Sequence, residues 1–312
     1  MSYNSYRPSS SYSAWELASL SFASLLYYGF YAIAYLFWFL PRSWFRPRVD
    51  ARKIVEFEKY ADHYYARPEF AYFKADEGRC FREHLASVSS PSVEIGYEDG
   101  RLSSYHTDGH VFDVGLEYDL AMIGRAPPFP NYRQIVAGRF EQMPFADYSI
   151  GSIVAIHVLD HVADLDASLG ETSRVLRPGG QLLFSLFSHR APAILGSKPL
   201  AARELYHFLD QTAWRTLLAK HQLQLKVYRE FTFSPLYLRI YFLGMRGLIP
   251  HDRSLVFRLV GERAPFLGRA LKAFLKRVTY AVYWPVFNRP AHEVPGCNVF
   301  IVAQKDIAPG QV

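Results

Sequence analysis

Residues 150–186 read IGSIVAIHVLDHVADLDASLGETSRVLRPGGQLLFSL, and this stretch decides the fold. Ile150 to Ile156 is short and almost wholly apolar. A strand without polar alternation is buried on both faces, as in a parallel sheet. Asp164 to Leu176 spaces its apolar residues for one face of a helix, and Asp160 and Asp164 are placed to cap its start. Arg177-Pro-Gly-Gly180 ends the helix in a turn, and Gln181 to Leu186 is again an apolar strand. Strand, helix, turn and strand in this order make the unit of a doubly wound parallel sheet.

The pattern extends upstream. Ser92-Val-Glu-Ile-Gly96 reads as a strand running into a turn, Val111 to Leu116 as a second strand and Gln134 to Val136 as a short third. Before them, residues 51–90 place Ile54, Phe57, Tyr60 and Tyr64 at helical spacing, which predicts one or two helices covering the sheet. The fold class expected is α/β, with a doubly wound, mostly parallel sheet.

Three pieces of this region carry a family resemblance. Glu94-Ile-Gly-Tyr-Glu-Asp-Gly100 stands where a Gly-rich strand–turn–helix would lie. Glu117 follows Gly96 by 21 residues, the place for an acidic residue on ribose hydroxyls. Met143-Pro-Phe, Val158-Leu-Asp-His161 and Arg174-Val-Leu-Arg-Pro-Gly-Gly180 then follow in order. With these, Val93 to Leu186 resembles the methyltransferase type 11 family of class I S-adenosylmethionine (SAM)-dependent methyltransferases. Ala213-Trp-Arg-Thr-Leu-Leu and Asn298-Val-Phe-Ile-Val-Ala are similar to the family's later helix and last strand.

The resemblance implies a Rossmann-like fold and a SAM site made by Glu94, Gly96, Gly100 and Glu117. It also exposes departures. Glu98 replaces the middle glycine, adding bulk and negative charge where bare backbone meets the cofactor. Arg139 stands for the acidic residue on the adenine side, and Gly151 for the aspartate usual at the start of the fourth strand. Three departures around one pocket would mean a relaxed demand for SAM. His157 and His161 follow the fourth strand at its carboxyl edge and are the candidates for a general base, against a packing role for the same residues. No residue spacing suggests a metal site, and Cys80 and Cys297 stand alone as free thiols.

The rest of the chain reads differently. Leu17 to Leu40 holds 24 residues without a charge, about 36 Å as a helix, against a hydrocarbon core of about 30 Å. It reads as a transmembrane helix, preceded by a polar tail at 1–16 and followed by a basic linker and helical lead-in at 41–90. Arg42, Arg46, Arg48, Arg52 and Lys53 after it place the N-terminus outside and the main domain, 91–312, in the cytoplasm, at a bacterial inner membrane. Trp15, Trp38 and Trp44 stand near the two ends. The segment is crowded with Tyr, Phe and Trp, which suits packing against protein partners, as does the Ser/Tyr-rich tail. Two further amphipathic segments lie at 235–250 and 264–287. In the second, Leu267, Leu271, Phe274, Val278 and Ala281 share one face, with Arg269, Lys272, Lys276 and Thr279 on the other. That face fits a membrane surface or a lid packed on the domain.

Net charge is +6 and the pattern places it beside apolar runs, which favours anionic lipid over nucleic acid. Two functions follow. The first is a non-catalytic structural or accessory subunit of a larger membrane complex, needing no cofactor. Its layout is similar to accessory subunits of bacterial photosynthetic reaction-centre and antenna complexes. The alternative is an active SAM-dependent methyltransferase acting on a membrane-borne lipid, quinone or pigment precursor.

Overall fold

The computed structural model describes residues 13–34, 36, 57–61, 64, 68–97, 100–123, 131–195, 206–232, 265–274, 276 and 296–307. They fall into two compact units, residues 1–75 with 233–290 and residues 76–232 with 291–312.

The second unit is built on one sheet of seven strands. In chain order they are β1 (Ser92–Ile95), β2 (Phe112–Glu117), β3 (Tyr132–Ala137), β4 (Ile150–Ile156), β5 (Leu176–Phe187), β6 (Leu223–Phe231) and β7 (Asn298–Lys305). Across the sheet the order is β3-β2-β1-β4-β5-β7-β6. The first five are parallel, whereas β7 runs antiparallel between β5 and β6. The order reverses direction between β1 and β4. In such sheets the crevice at that reversal, at the carboxyl ends of the strands, is where ligands bind.

The helices are α1 (Ala14–Ala34), α2 (Pro68–His84), α3 (Arg101–His106), α4 (Leu120–Ile123), α5 (Leu165–Val175), α6 (Ala191–Leu195) and α7 (Gln211–Lys220). All seven residues of β4 are buried, as its apolar run requires. Leu165, Leu169 and Val175 of α5 join Ile153, Leu182, Phe184 and Trp214 in the main core. Asp164 caps α5 by accepting from Ala167 N at 2.9 Å, and Asp210 caps α7 in the same way.

Two readings shift. Strand β5 begins at Leu176, so Arg177–Gly180 forms an irregular register within the strand: Ile150 pairs with Leu176, and Ser152 already with Gln181. Strand β6 was not anticipated, although Leu223, Leu225 and Val227 alternate with Gln224 and Lys226. Residues 235–250 lie outside the described residues, as do the tail at 1–12 and residues 37–50.

The first unit holds the 17–40 stretch read as a span, of which residues 35 and 37–40 lie outside the described residues. The stretch read as a span forms α1 at Ala14–Ala34. Among the described residues no helix is long and apolar enough to cross a membrane. The physical reason is visible in the sequence of α1: Glu16, Ser19, Ser21, Ser24 and three tyrosines dilute its apolar residues. Tyr27 is buried, and its hydroxyl donates to Glu69 Oε2 of α2 at 2.5 Å, so this face of the helix meets a polar partner. Of the 264–287 segment, residues 265–274 are helical; Leu271 and Phe274 are half-buried, and Lys276 lies 3.8 Å from Glu58.

Candidate cofactor site and an adjoining buried polar cluster

The loop after β1 is shaped by two glycines in the left-handed region. Gly96 has φ +69° and Gly100 φ +71°. Gly96 N donates to Leu116 O of β2 at 2.8 Å, and a Cβ on Gly96 would stand 2.6 Å from Val158 Cγ2. No side chain fits there. Gly100 N closes on Tyr97 O at 2.7 Å, and Gly100 O accepts from Asn131 Nδ2 at 2.7 Å. Residues 98 and 99 lie outside the described residues, so the expected crowding by Glu98 does too.

Glu117 ends β2 and is buried. Its Oε1 accepts from Tyr118 N at 2.9 Å and Asp119 N at 3.1 Å, which fixes the carboxylate at the mouth of the strand. No hydrogen bond to Oε2 occurs among the described residues. Glu94, expected beside it, is occupied elsewhere: its Oε2 accepts from Ser103 Oγ of α3 and from Tyr132 OH at 2.7 Å. Burial pushes its carboxyl up to about 7, partly offset by those two donors.

The two remaining departures lie apart. Arg139 is exposed just beyond β3, its guanidinium 5.6 Å from the ring of Tyr118. Gly151 lies at the amino end of β4, five residues below the level of Gly96, or about 16 Å along a strand. There its Cβ would meet Ser89 O at 2.6 Å and Ser90 O at 2.8 Å. The glycine makes room for the chain entering β1, which corrects its reading as a pocket residue.

His157 follows β4 directly, at φ +53°, with its N–H on Ser185 O at 3.0 Å. A left-handed non-glycine residue costs free energy and collects at functional positions. Both ring nitrogens face carboxylates. Nδ1 is 2.5 Å from Asp160 Oδ2, and Nε2 is 3.1 Å from Glu77 Oε1. Glu77, from α2, is wholly buried; its Oε2 meets His106 Nε2 at 2.9 Å, and Oε1 accepts from Ser185 Oγ at 2.7 Å. Asp160 Oδ1 accepts from Phe187 N at 2.9 Å, so Asp160 serves this cluster and does not cap α5. Burial alone would lower the pKa of His157, but Glu77 and Asp160 outweigh it and the net shift is upward. The ring therefore favours its charged form, held between the two carboxylates. His161 is exposed, its N–H on Val158 O.

The cluster adjoins the loop, because Val158, the wall against Gly96, is the residue after His157. Sequence reasoning found His157 but missed Glu77, His106 and Ser185. Only the folded sheet brings them together.

Gly96 with no room for a Cβ and the fixed carboxylate of Glu117 fit a nucleotide-type cofactor. Comparison with known proteins agrees. Residues 93–184 match the family model described as a methyltransferase domain. Together with the strand order, this makes the sheet unit a class I methyltransferase fold, Rossmann-like and mostly parallel. A malonyl-[acyl-carrier protein] O-methyltransferase of Coxiella burnetii is 33% identical over 98 residues, 31% of this chain and 32% of the relative. The ubiquinone/menaquinone biosynthesis C-methyltransferase UbiE of Haemophilus ducreyi is 29% identical over 150 residues, 48% of this chain and 49% of the relative. The chain thus spans a third to a half of the length of these curated relatives. Among solved structures, geranyl diphosphate C-methyltransferase from Streptomyces coelicolor A3(2) aligns with TM-score 0.45 and 15% identity, covering 73% of this chain and 74% of that one.

Proposed function

We propose that the sheet unit binds SAM in the crevice between β1 and β4 and transfers its methyl group to an acceptor. The observation that carries this is Gly96, held at positive φ against Val158 with no space for a side chain, next to the fixed Glu117. When bound, SAM supplies an electrophilic methyl on a sulfonium; the protein's part is alignment of the acceptor with it. The backbone at Gly96 and Gly100 would hold the amino-acid end, and Glu117 would accept from ribose hydroxyls. His157 is held between the carboxylates of Glu77 and Asp160, which leaves it poorly placed as a general base, so the acceptor would bring its own nucleophile. The relatives' names, one for a malonyl acceptor and one for quinone biosynthesis, support small acidic or quinone-like acceptors as the first panel to assay.

A second reading is favoured by Arg139: a fold kept as a docking body that no longer methylates. Calorimetric titration of the full chain with S-adenosylhomocysteine separates the two. Micromolar affinity that Glu117→Ala abolishes supports the enzyme. Absence of heat at millimolar ligand, with binding restored by Arg139→Asp, supports the docking body. Membrane association belongs to the proposal as a surface contact: α1 exposes Phe22, Leu25, Leu26, Phe30 and Ile33. Failure of the full chain to co-sediment with anionic vesicles would remove it.

A further inference from the structure

Glu77 is wholly buried on α2, and its two oxygens reach three other elements of the sheet unit. Oε2 meets His106 Nε2 at 2.9 Å. Oε1 accepts from Ser185 Oγ of β5 at 2.7 Å and stands 3.1 Å from His157 Nε2, just after β4. Two of these partners lead to the cofactor loop. His106 is the last residue of α3, the helix that begins after Gly100, about 9 Å away along its axis. His157 precedes Val158, whose Cγ2 leaves no room for a Cβ on Gly96. The two glycines at the ends of the loop thus sit against elements that a single carboxylate joins.

A buried carboxylate is a costly way to fill space. Apolar residues of similar volume often stabilise a core as well or better. What charged contacts add is direction, because each partner is fixed in place. The backbone at His157 is held in this way. Its φ of +53° carries a cost for a non-glycine residue, and it persists where the surroundings over-determine it. The ring is gripped from both sides, by Glu77 and by Asp160 Oδ2 at 2.5 Å from Nδ1, and Asp160 is itself fixed by Phe187 N. That turn sets where Val158 stands, and Val158 walls Gly96. We propose that Glu77 is a positioning residue of the cofactor site. It acts through His157 and Val158 on Gly96, and through His106 and α3 on Gly100, with no contact to the cofactor. The assignment rests on the SAM reading of that loop.

The test uses the full chain and compares the wild type with Glu77→Gln and with Leu218→Ala, a substitution in the main core that lowers stability without touching the cluster. In ligand-free protein the NMR amide signals of Gly96 and Gly100 should move in Glu77→Gln and stay in place in Leu218→Ala. In calorimetry S-adenosylhomocysteine should bind Glu77→Gln roughly 3- to 30-fold more weakly than the wild type, and Leu218→Ala within about twofold of it. Combined with Val158→Ala, the Glu77→Gln effect should be smaller than it is alone, since both act on Gly96. Unmoved glycine signals, equal affinity in the two single variants, or a fully additive pair would overturn the role while leaving the SAM reading intact. Should Glu77→Gln not fold, Ser185→Ala takes one donor from the carboxylate and stands in for it: affinity at least about twofold weaker supports the role, and unchanged affinity overturns it. If the wild type itself binds no S-adenosylhomocysteine, the SAM reading fails and this assignment fails with it.

Discussion

Replacing Glu94 with glutamine puts a number on the buried carboxyl under the cofactor loop. Glu94 sits in the middle of the parallel β1–β2–β4 ladder and accepts from Ser103 and Tyr132 through one oxygen, Oε2. Its ordinary pKa of 4.5 rises to about 7, with burial the leading cause. The shift is linked to stability at about 1.4 kcal/mol per unit, or on the order of 3 kcal/mol in all. The native state holds the proton more tightly, so this contribution is complete below pH 4.5, where both states are protonated. It is lost as pH rises towards the folded value near 7, and above that both states are ionised and the slope vanishes. A glutamine carbonyl can accept the same two hydroxyls, and its amide does not titrate. Any cost of seating the amide is a constant offset, and titration of His157 cancels in the comparison. Urea unfolding of both proteins between about pH 4.5 and about pH 8 should therefore show the variant gaining roughly 3 kcal/mol on the wild type across the range. Parallel stability profiles would refute the reasoning and place water or a counter-charge beside the carboxyl.

Gly96→Ala sets a side chain 2.6 Å from Val158 Cγ2 at a positive φ; it should cost about 1–2 kcal/mol or more in stability and weaken S-adenosylhomocysteine at least tenfold, by denaturation and calorimetry. Glu77→Gln removes the carboxylate between His106 and His157, so the His157 pKa, followed by NMR titration, should fall, and stability should drop by about 3 kcal/mol, as for a broken buried pair. In the wild type the raised His157 pKa contributes stability that is complete below its ordinary value of 6.5 and fades as pH climbs through the folded value. Burial pushes the Cys80 thiol up to about 12 and Cys297 up as well; iodoacetamide at neutral pH should label neither until the chain unfolds, a result checked by mass spectrometry.

Much of the sheet was legible because burial on both faces writes itself into composition. The apolar run of β4 and the capped and amphipathic α5 appear where the pattern put them, and β5 contains the expected strand at 181–186 but starts earlier, at Leu176. Strand β6 escaped because its alternation is short and mixed with Tyr228, Arg229 and Glu230. The 17–40 stretch read as a span is described only at residues 17–34 and 36. Counting charges treats Ser and Tyr as neutral filler, whereas Tyr27 uses its hydroxyl to bury a contact with Glu69. The site divides along the same line. Gly96, Gly100 and Glu117 lie within one strand–turn–helix and its neighbour, so spacing locates them. Glu77, by contrast, meets His106 from 29 residues away and Ser185 from 108. Such a cluster has no local signature, and Asp160 read as a cap because the nearest helix was the only partner that spacing could offer.

The case for a degraded pocket rests on three departures sharing one place; Glu98 lies outside the described residues, and the fold sets the other two apart from each other. Gly151 is required by the backbone of Ser89 and Ser90 at the far end of β4, so an aspartate there would be excluded by packing whatever the ligand. Arg139 rests over an exposed tyrosine beyond β3, an arrangement worth about 0.5–1 kcal/mol that a bound adenine could displace. The departure at Arg139 therefore bears on how an adenine would be held, and affinity measured on Arg139→Asp resolves it by its sign.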